Sequence, residues 1–401
     1  MTRSILILII VLFITGNLAS QENYEVLLRA RALINTNQAK EASAILSAAI
    51  SRSQDSRLYV MHGDANIITG NTQIAISDYQ SANKLVASSG DYGLARAYAV
   101  MRDVKTSLFH LERSISSSFK KSEKETMLDQ AFSAVENTPE WRLFWKTERY
   151  SVPEQKLSEL EFNISNGNRE EAAIIVKELT SDFPDDNNTL YAKALLDYSN
   201  QKYAESVTQL SELLLKDKNN PDYLLLLGTV QISSGNMAGA SATFTRLVEI
   251  EYPDATIFLK RAGCYRKTQE FDKAMNDLEK HLSLYPGNKE ALSLSGKIES
   301  ERGDNLKAIE LYSSNIRLHP DDPQCYIDRA NSYFVSRTWD NAVRDYSMAL
   351  DIKPGDPEVW LNKGIALLNS GKTDDACFDF RKALYLGNKK ATSYISRNCI
   401  K

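Results

Sequence analysis

Four histidines, four cysteines and a few adjacent acid pairs are the residues of this 401-residue chain whose types could carry chemistry. His62, His110, His281 and His319 lie far apart, with no pair at the spacing that puts two imidazoles on one helix face around a metal ion. Cys264, Cys325, Cys377 and Cys399 contain no CxxC, so neither a zinc knuckle nor a dithiol redox motif is present. No P-loop, GxGxxG or HExxH occurs. The pairs Glu170-Glu171 and Asp185-Asp186 sit where a helix starts and where a turn is expected, the usual place for capping carboxylates. The expectation is therefore no metal, no cofactor, no catalytic residue and no enzyme activity.

Composition narrows the class further. Forty-eight Lys plus Arg against 52 Asp plus Glu leave a net charge of −4, without the basic excess that nucleic-acid binding requires. Hydrophobic residues at 43% exclude a disordered chain. With only 10 Pro and 17 Gly, a loop-rich β fold is disfavoured and helices are favoured. At the N-terminus Arg3 precedes the apolar run Ser4 to Ile14, and small and polar residues follow up to Ser20. This is the layout of an export signal over 1–20, cut near Ala19 to Gln21. The run is too short for a span of roughly 20 apolar residues, and membrane contact is expected only if it is retained.

The elements that would position any site come from a repeat. Gapless units of 34 residues start at Pro153, Asn187, Pro221, Ala255, Lys289, Pro323 and Pro357. The eighth residue is Leu160, Ala194, Gly228, Ala262, Gly296, Ala330 and Gly364. The twentieth is Ala172, Ser206, Ala240, Ala274, Ala308, Ala342 and Ala376, and the twenty-fourth is bulky: Val176, Leu210, Phe244, Leu278, Tyr312, Tyr346 and Phe380. Apolar residues recur at helical spacing, Gly167, Gly235, Gly303 and Gly371 break each unit in the middle, and prolines close several of them. Each unit reads as a helical hairpin that must stack on its neighbours to bury both apolar faces.

These residues resemble the tetratricopeptide repeat family. The resemblance implies an all-α fold, a right-handed α-solenoid of stacked helix-turn-helix units. It is strong over 153–390 (seven repeats) and weaker over 21–115, where units start at Asn23, Ser56 and Ser88. Leu160 departs from the family's small eighth residue, so the unit at 153 is expected to pack differently. Residues 116–152 do not fit. There Ser122 to Glu125 form a capping box leading into an amphipathic helix through Met127, Leu128, Ala131, Phe132 and Val135. Thr138-Pro139 opens a second helix carrying Trp141, Phe144 and Trp145, and the insert reads as capping the N-terminal array and joining it to the C-terminal one; its tryptophans either pack between the arrays, the favoured reading, or form a partner patch. Residues 391–401 read as a capping helix with Ala391, Tyr394 and Ile395 inward. Cys264 and Cys325 lie two repeats apart, too far for a disulfide. Cys377 and Cys399 are either buried thiols, the favoured reading, or a pair formed in an oxidising compartment.

The resemblance also implies where a ligand would lie. In this family the first helix of each unit lines the concave groove, chiefly through its second, fifth, ninth, twelfth and thirteenth residues. Here those include Tyr191, Tyr198, Leu225, Thr229, Leu259, Arg266, Lys267, Ser293, Lys297, Ile327, Asn331, Phe334, Leu361 and Ile365. The channel is mostly apolar, and Arg266 and Lys297 form a basic spot that either attracts a carboxylate or acidic side chain or simply keeps the surface hydrated. Asn331 and Asn362 match two positions of the family's carboxylate clamp, while Ile327 replaces its first lysine. The expected function is a non-enzymatic protein or peptide-binding scaffold of the cell envelope or exported space, serving complex assembly. A chaperone-like adaptor for extended peptides and a recruiting subunit of an envelope enzyme are the alternatives.

Overall fold

The computed structural model describes residues 20–399. The export-signal segment up to residue 19 lies outside the described residues. Among those described, every regular element is helical and no strand occurs. The chain forms two compact units, one up to Ile257 and one from Phe258.

The first unit begins with three helical pairs. They are α1 (20–35) with α2 (Ala39–Ile50), α3 (Ser56–Ile68) with α4 (Thr72–Leu85), and α5 (Asp91–Val100) with α6 (Val104–Ile115). The insert supplies α7 (Glu123–Leu128) and α8 (Pro139–Phe144). Three more pairs follow: α9 (Val152–Ser165) with α10 (Arg169–Asp182), α11 (Asn187–Ser199) with α12 (Tyr203–Lys216), and α13 (Pro221–Ser233) with α14 (Met237–Glu249). The second unit holds α15 (Thr256–Lys267), which starts just before the divide, with α16 (Phe271–Leu284). Then come α17 (Lys289–Arg302) with α18 (Asn305–Leu318), α19 (Pro323–Val335) with α20 (Trp339–Ile352), α21 (Pro357–Asn369) with α22 (Thr373–Tyr385), and α23 (Ala391–Asn398).

One backbone feature locks the register. The fifteenth residue of every unit, Asn37, Gly70, Arg102, Gly167, Gln201, Gly235, Gln269, Gly303, Arg337 and Gly371, has φ between 57° and 91°. A left-handed residue ends the first helix and lets the chain fold back into the second. Glycine adopts it without steric cost, yet Gln201, Gln269 and Arg337 adopt it as well. The hairpin is therefore set by packing rather than by glycine.

That packing is the small-against-large contact of the eighth and twenty-fourth residues. A β-carbon at Gly296 would lie 2.5 Å from the Tyr312 ring, and one at Gly228 2.7 Å from Phe244. Leu160 is fully buried with Val176 among Ala172, Ile175 and Leu179. The sizes at this pair are exchanged, so the departure is compensated within the hairpin.

The first helix of the insert is shorter than its sequence reading. The capping box of Ser122 and Glu125 forms, but α7 ends at Leu128. Asp129 breaks it: its carboxylate accepts from Ala131 N–H, which starts a 3-10 turn at Gln130–Phe132, and also accepts from the Tyr92 hydroxyl at 2.9 Å. Met127 and Leu128 are exposed, whereas Phe132 and Val135 are buried with Trp141, Phe144 and Tyr150 against Ala95, Ala99, Leu111 and Ile115. The aromatic residues thus cap α5 and α6.

The ends of the first unit meet. Ser20 Oγ donates to Glu251 Oε1 at 2.5 Å, Arg57 pairs with Glu251 Oε2 at 2.7 Å, and the Tyr24 hydroxyl donates to Tyr252 O at 3.1 Å. In the second unit α23 covers Leu361, Leu367, Phe380 and Ala383 through Ala391, Tyr394 and Ile395. It is tied down by a disulfide between Cys377 and Cys399, in place of the free thiols favoured from sequence; the two Cα atoms are 5.6 Å apart. The hairpin turn brings these residues together, which their separation along the chain conceals.

Candidate functional site

On the first helix of each pair, the helix expected to line the groove, side chains of one repeat are tied to those of the next. In the second unit Arg266 Nη1 on α15 reaches Glu301 Oε1 on α17 at 2.5 Å. Lys297 Nζ lies 3.8 Å from Asp328 Oδ2 on α19, and the same carboxylate oxygen accepts from Ser293 Oγ at 2.5 Å. The two cations expected as a basic spot are each already paired with a carboxylate of the next repeat. A ligand carboxylate would compete with Glu301 and Asp328 rather than meet bare charge.

Asn331 is exposed, and its side-chain oxygen accepts from the Tyr346 hydroxyl at 2.7 Å. Only its NH2 can then donate to a carboxylate. Asn362 and Ile365 are half-buried on α21, and Leu361 beside them is fully buried. Ile327 and Phe334 are half-buried, packing on the core formed by Tyr326, Ala330 and Tyr346; Phe334 meets Trp339 edge-on at 5.1 Å. Val335, which sequence reasoning did not single out, is 63% exposed next to Phe334. Leu259 packs on the core of its own pair, and Lys267 is exposed. The inner face thus keeps an apolar strip on α19 and α21, beside satisfied ion pairs on α15 and α17.

In the first unit Tyr191 packs on Tyr223 with ring centroids 5.3 Å apart, and Tyr198 lies 3.4 Å from Ser233 Oγ. Leu225 and Thr229 are half-buried on α13, the Thr229 hydroxyl donating to Leu225 O. Glu161 and Asp222 are exposed, yet desolvation by surrounding protein raises both carboxyls; Asp222 and Glu125 add to this at Glu161 and Glu125 at Asp222, while Lys124 and Lys121 oppose it. The inner face therefore bears acids here. Glu161 and Asp222 occupy the ninth and second residues of their units, where the repeat places groove residues, whereas Glu125 comes from the insert.

Beneath the lining, recurrent ion pairs join the two helices of a repeat. Arg261 pairs with Asp277 at 2.7 Å, Arg329 with Asp345 at 2.6 Å and Lys363 with Asp379 at 3.3 Å, always from the seventh to the twenty-third residue. In the pair α3/α4 the same two positions hold His62 and Asp78, 2.8 Å apart, and Ser43 Oγ is 3.0 Å from the other ring nitrogen of His62. Sequence reasoning missed this group, since its members are spread over three helices. Cys264 and Cys325 are buried free thiols, each pushed up to about 11 by burial, which keeps them protonated and unreactive. Among the described residues no cluster of His, Cys, Asp and Glu could hold a metal ion. No described helix is long and apolar enough to cross a membrane.

Stacked helical pairs with a small-against-large contact and a left-handed hairpin residue define a tetratricopeptide-type α-solenoid. Tetratricopeptide repeat models match residues 191–256 and 357–388. Similar solved structures include a tetratricopeptide repeat protein from Parabacteroides merdae ATCC 43184, 19% identical over 62% of this chain and 99% of that one, with TM-score 0.49. MamA is 23% identical over 42% of this chain and 92% of its own, with TM-score 0.38. YrrB, described as a TPR protein with an unusual peptide-binding site, is 14% identical over 47% and 97%, with TM-score 0.39. No curated protein matches the sequence.

Proposed function

We propose that the chain is a non-enzymatic interaction scaffold that holds a protein or peptide on the inner face of its second unit. The observation that carries this reading is the strip of Ile327, Phe334, Val335 and Ile365. Val335 is exposed there and the other three are only half-buried, although the ion pairs beside them are closed. Concave surfaces of stacked repeats serve as extended binding faces, and an extended segment placing apolar side chains along this strip would bury it. An acidic group or C-terminal carboxylate in the partner would add affinity by displacing Glu301 or Asp328 from Arg266 or Lys297.

The work is proposed to take place in the cell envelope or outside it, in assembling a complex. The apolar run after Arg3 and the Cys377–Cys399 disulfide both suit an oxidising, exported environment. Site-directed photocrosslinking tests the groove. A photoreactive residue at Val335 should crosslink the native partner, and one at the still more exposed Leu306 on α18 should not. Equal crosslinking from both positions would overturn the assignment.

A further inference from the structure

Polar residues at the eleventh position of a repeat find a partner at the twenty-third in two pairs of the first unit. Asp197 Oδ2 accepts from Gln209 Nε2 at 2.8 Å, and Gln231 Oε1 accepts from the Thr243 hydroxyl at 2.8 Å. In α17/α18 the eleventh residue is Glu299 and the twenty-third is Leu311, which offers no hydrogen bond. Glu299 is only 2% exposed, and its Oε1 makes no hydrogen bond. Lys307 Nζ lies 3.2 Å from it and Arg302 Nη1 4.0 Å, neither in hydrogen-bonding geometry. A buried carboxylate in this condition costs stability, so packing alone does not ask for it. Glu299 lines a cavity of about 580 Å³ between α16, α17 and α18, within the size range of small-molecule sites. None of the residues around that cavity holds one of the groove positions.

The chemistry of the lining selects the ligand. Four carboxylates, those of Asp272, Glu279, Glu299 and Glu310, meet two cations, Arg302 and Lys307. Arg302 is held by Asp272 at 2.5 Å and Lys307 faces Glu299, so Glu279 and Glu310 remain as surplus negative charge at the exposed rim. Half-buried Met275, Leu282 and Leu311 supply apolar wall. Among the described residues no group of His, Cys, Asp and Glu could hold a metal ion, so a single ion cannot gather these carboxylates. We propose that the cavity binds a linear aliphatic diamine or polyamine. One ammonium donates to Glu299 Oε1 in place of Lys307, whose side chain is 57% exposed and can turn out to solvent. The methylenes lie along the apolar wall, and a second ammonium meets Glu279 and Glu310. The site is separate from the inner-face strip, and the inference is independent of the scaffold reading.

The test is isothermal titration of the full chain with putrescine, cadaverine and spermidine, with n-pentylamine as the probe carrying a single charge. At least one of the three should bind as one molecule per chain, at least ~10-fold more tightly than n-pentylamine. Glu299→Gln keeps the shape and removes the buried charge, so it should weaken that amine at least ~10-fold. Leu311→Gln supplies the partner that Gln209 gives Asp197, so it should yield a folded chain that binds the amine less well. Glu290→Gln removes the same charge from an exposed residue of α17 outside the cavity and should bind as the native chain does. Absence of binding by all three amines, n-pentylamine binding as tightly as they do, undiminished affinity in Glu299→Gln, or an equal loss in Glu290→Gln would overturn the proposal.

Discussion

Ala342 is fully buried where α19 and α20 touch, packed with Ala330 and Tyr346. A phenylalanine there has no room, and overpacking of this kind costs on the order of 1–3 kcal/mol. Because repeat arrays sum local stabilities and interfaces, urea unfolding of Ala342→Phe followed by circular dichroism should become broader as well as earlier. An unchanged curve would contradict the packing. Asp379 gives a second test at this scale. Burial is the main cause of its raised value of about 6, and nearby Lys363 only partly opposes it. An unfolded Asp titrates near 3.9, so the folded state holds this proton more tightly. The cost of the buried charge is complete above about pH 6 and is relieved as pH falls toward 4. Relative to Asp379→Asn, the native chain should therefore gain stability over that window, by on the order of 2 kcal/mol. Denaturation of both proteins at pH 7 and 4.5 measures the difference, and a difference that does not change with pH would refute it.

At the scale of elements, α23 is a short helix held by one apolar patch and one covalent link. The Cys377–Cys399 bridge spans 22 residues of sequence, and closing a loop of that size stabilises by up to about 3 kcal/mol. Reduction, or Cys399→Ser, should release amide protection in α23 first while α15 to α20 stay protected. Hydrogen exchange with mass spectrometry reads this directly, and simultaneous loss of protection across the unit would show that α23 is no separate cap. The helices of 153–390 were legible in the sequence because the eighth, twentieth and twenty-fourth residues repeat without a gap. The turns of the weaker N-terminal units were not, since Asn37 and Arg102 take the left-handed conformation without a glycine to announce it. The insert was misread for a local reason: its apolar periodicity continues past Leu128, but the Asp129 carboxylate caps a new turn there. Groove residues could be placed by their position in the repeat. Their partners could not, because Arg266–Glu301 and Lys297–Asp328 join different repeats and require the superhelical stacking.

For the whole molecule, the proposed role is that of an exported scaffold with a binding face on its second unit. Export predicts a mature N-terminus near Gln21, and intact mass of the native protein showing residues 1–20 retained would contradict it. The most direct test of the central claim is a pull-down of the native partner with two variants of the same unit. Phe334→Ala combined with Val335→Asp puts a charge into the apolar strip of the inner face. Leu306→Asp puts one on a still more exposed apolar residue of α18. Both should retain helicity. The account predicts that the inner-face variant loses partner capture by at least about tenfold, which corresponds to 1.4 kcal/mol, while Leu306→Asp binds as the native chain does. Full capture by the inner-face variant, or equal loss from both, would contradict it.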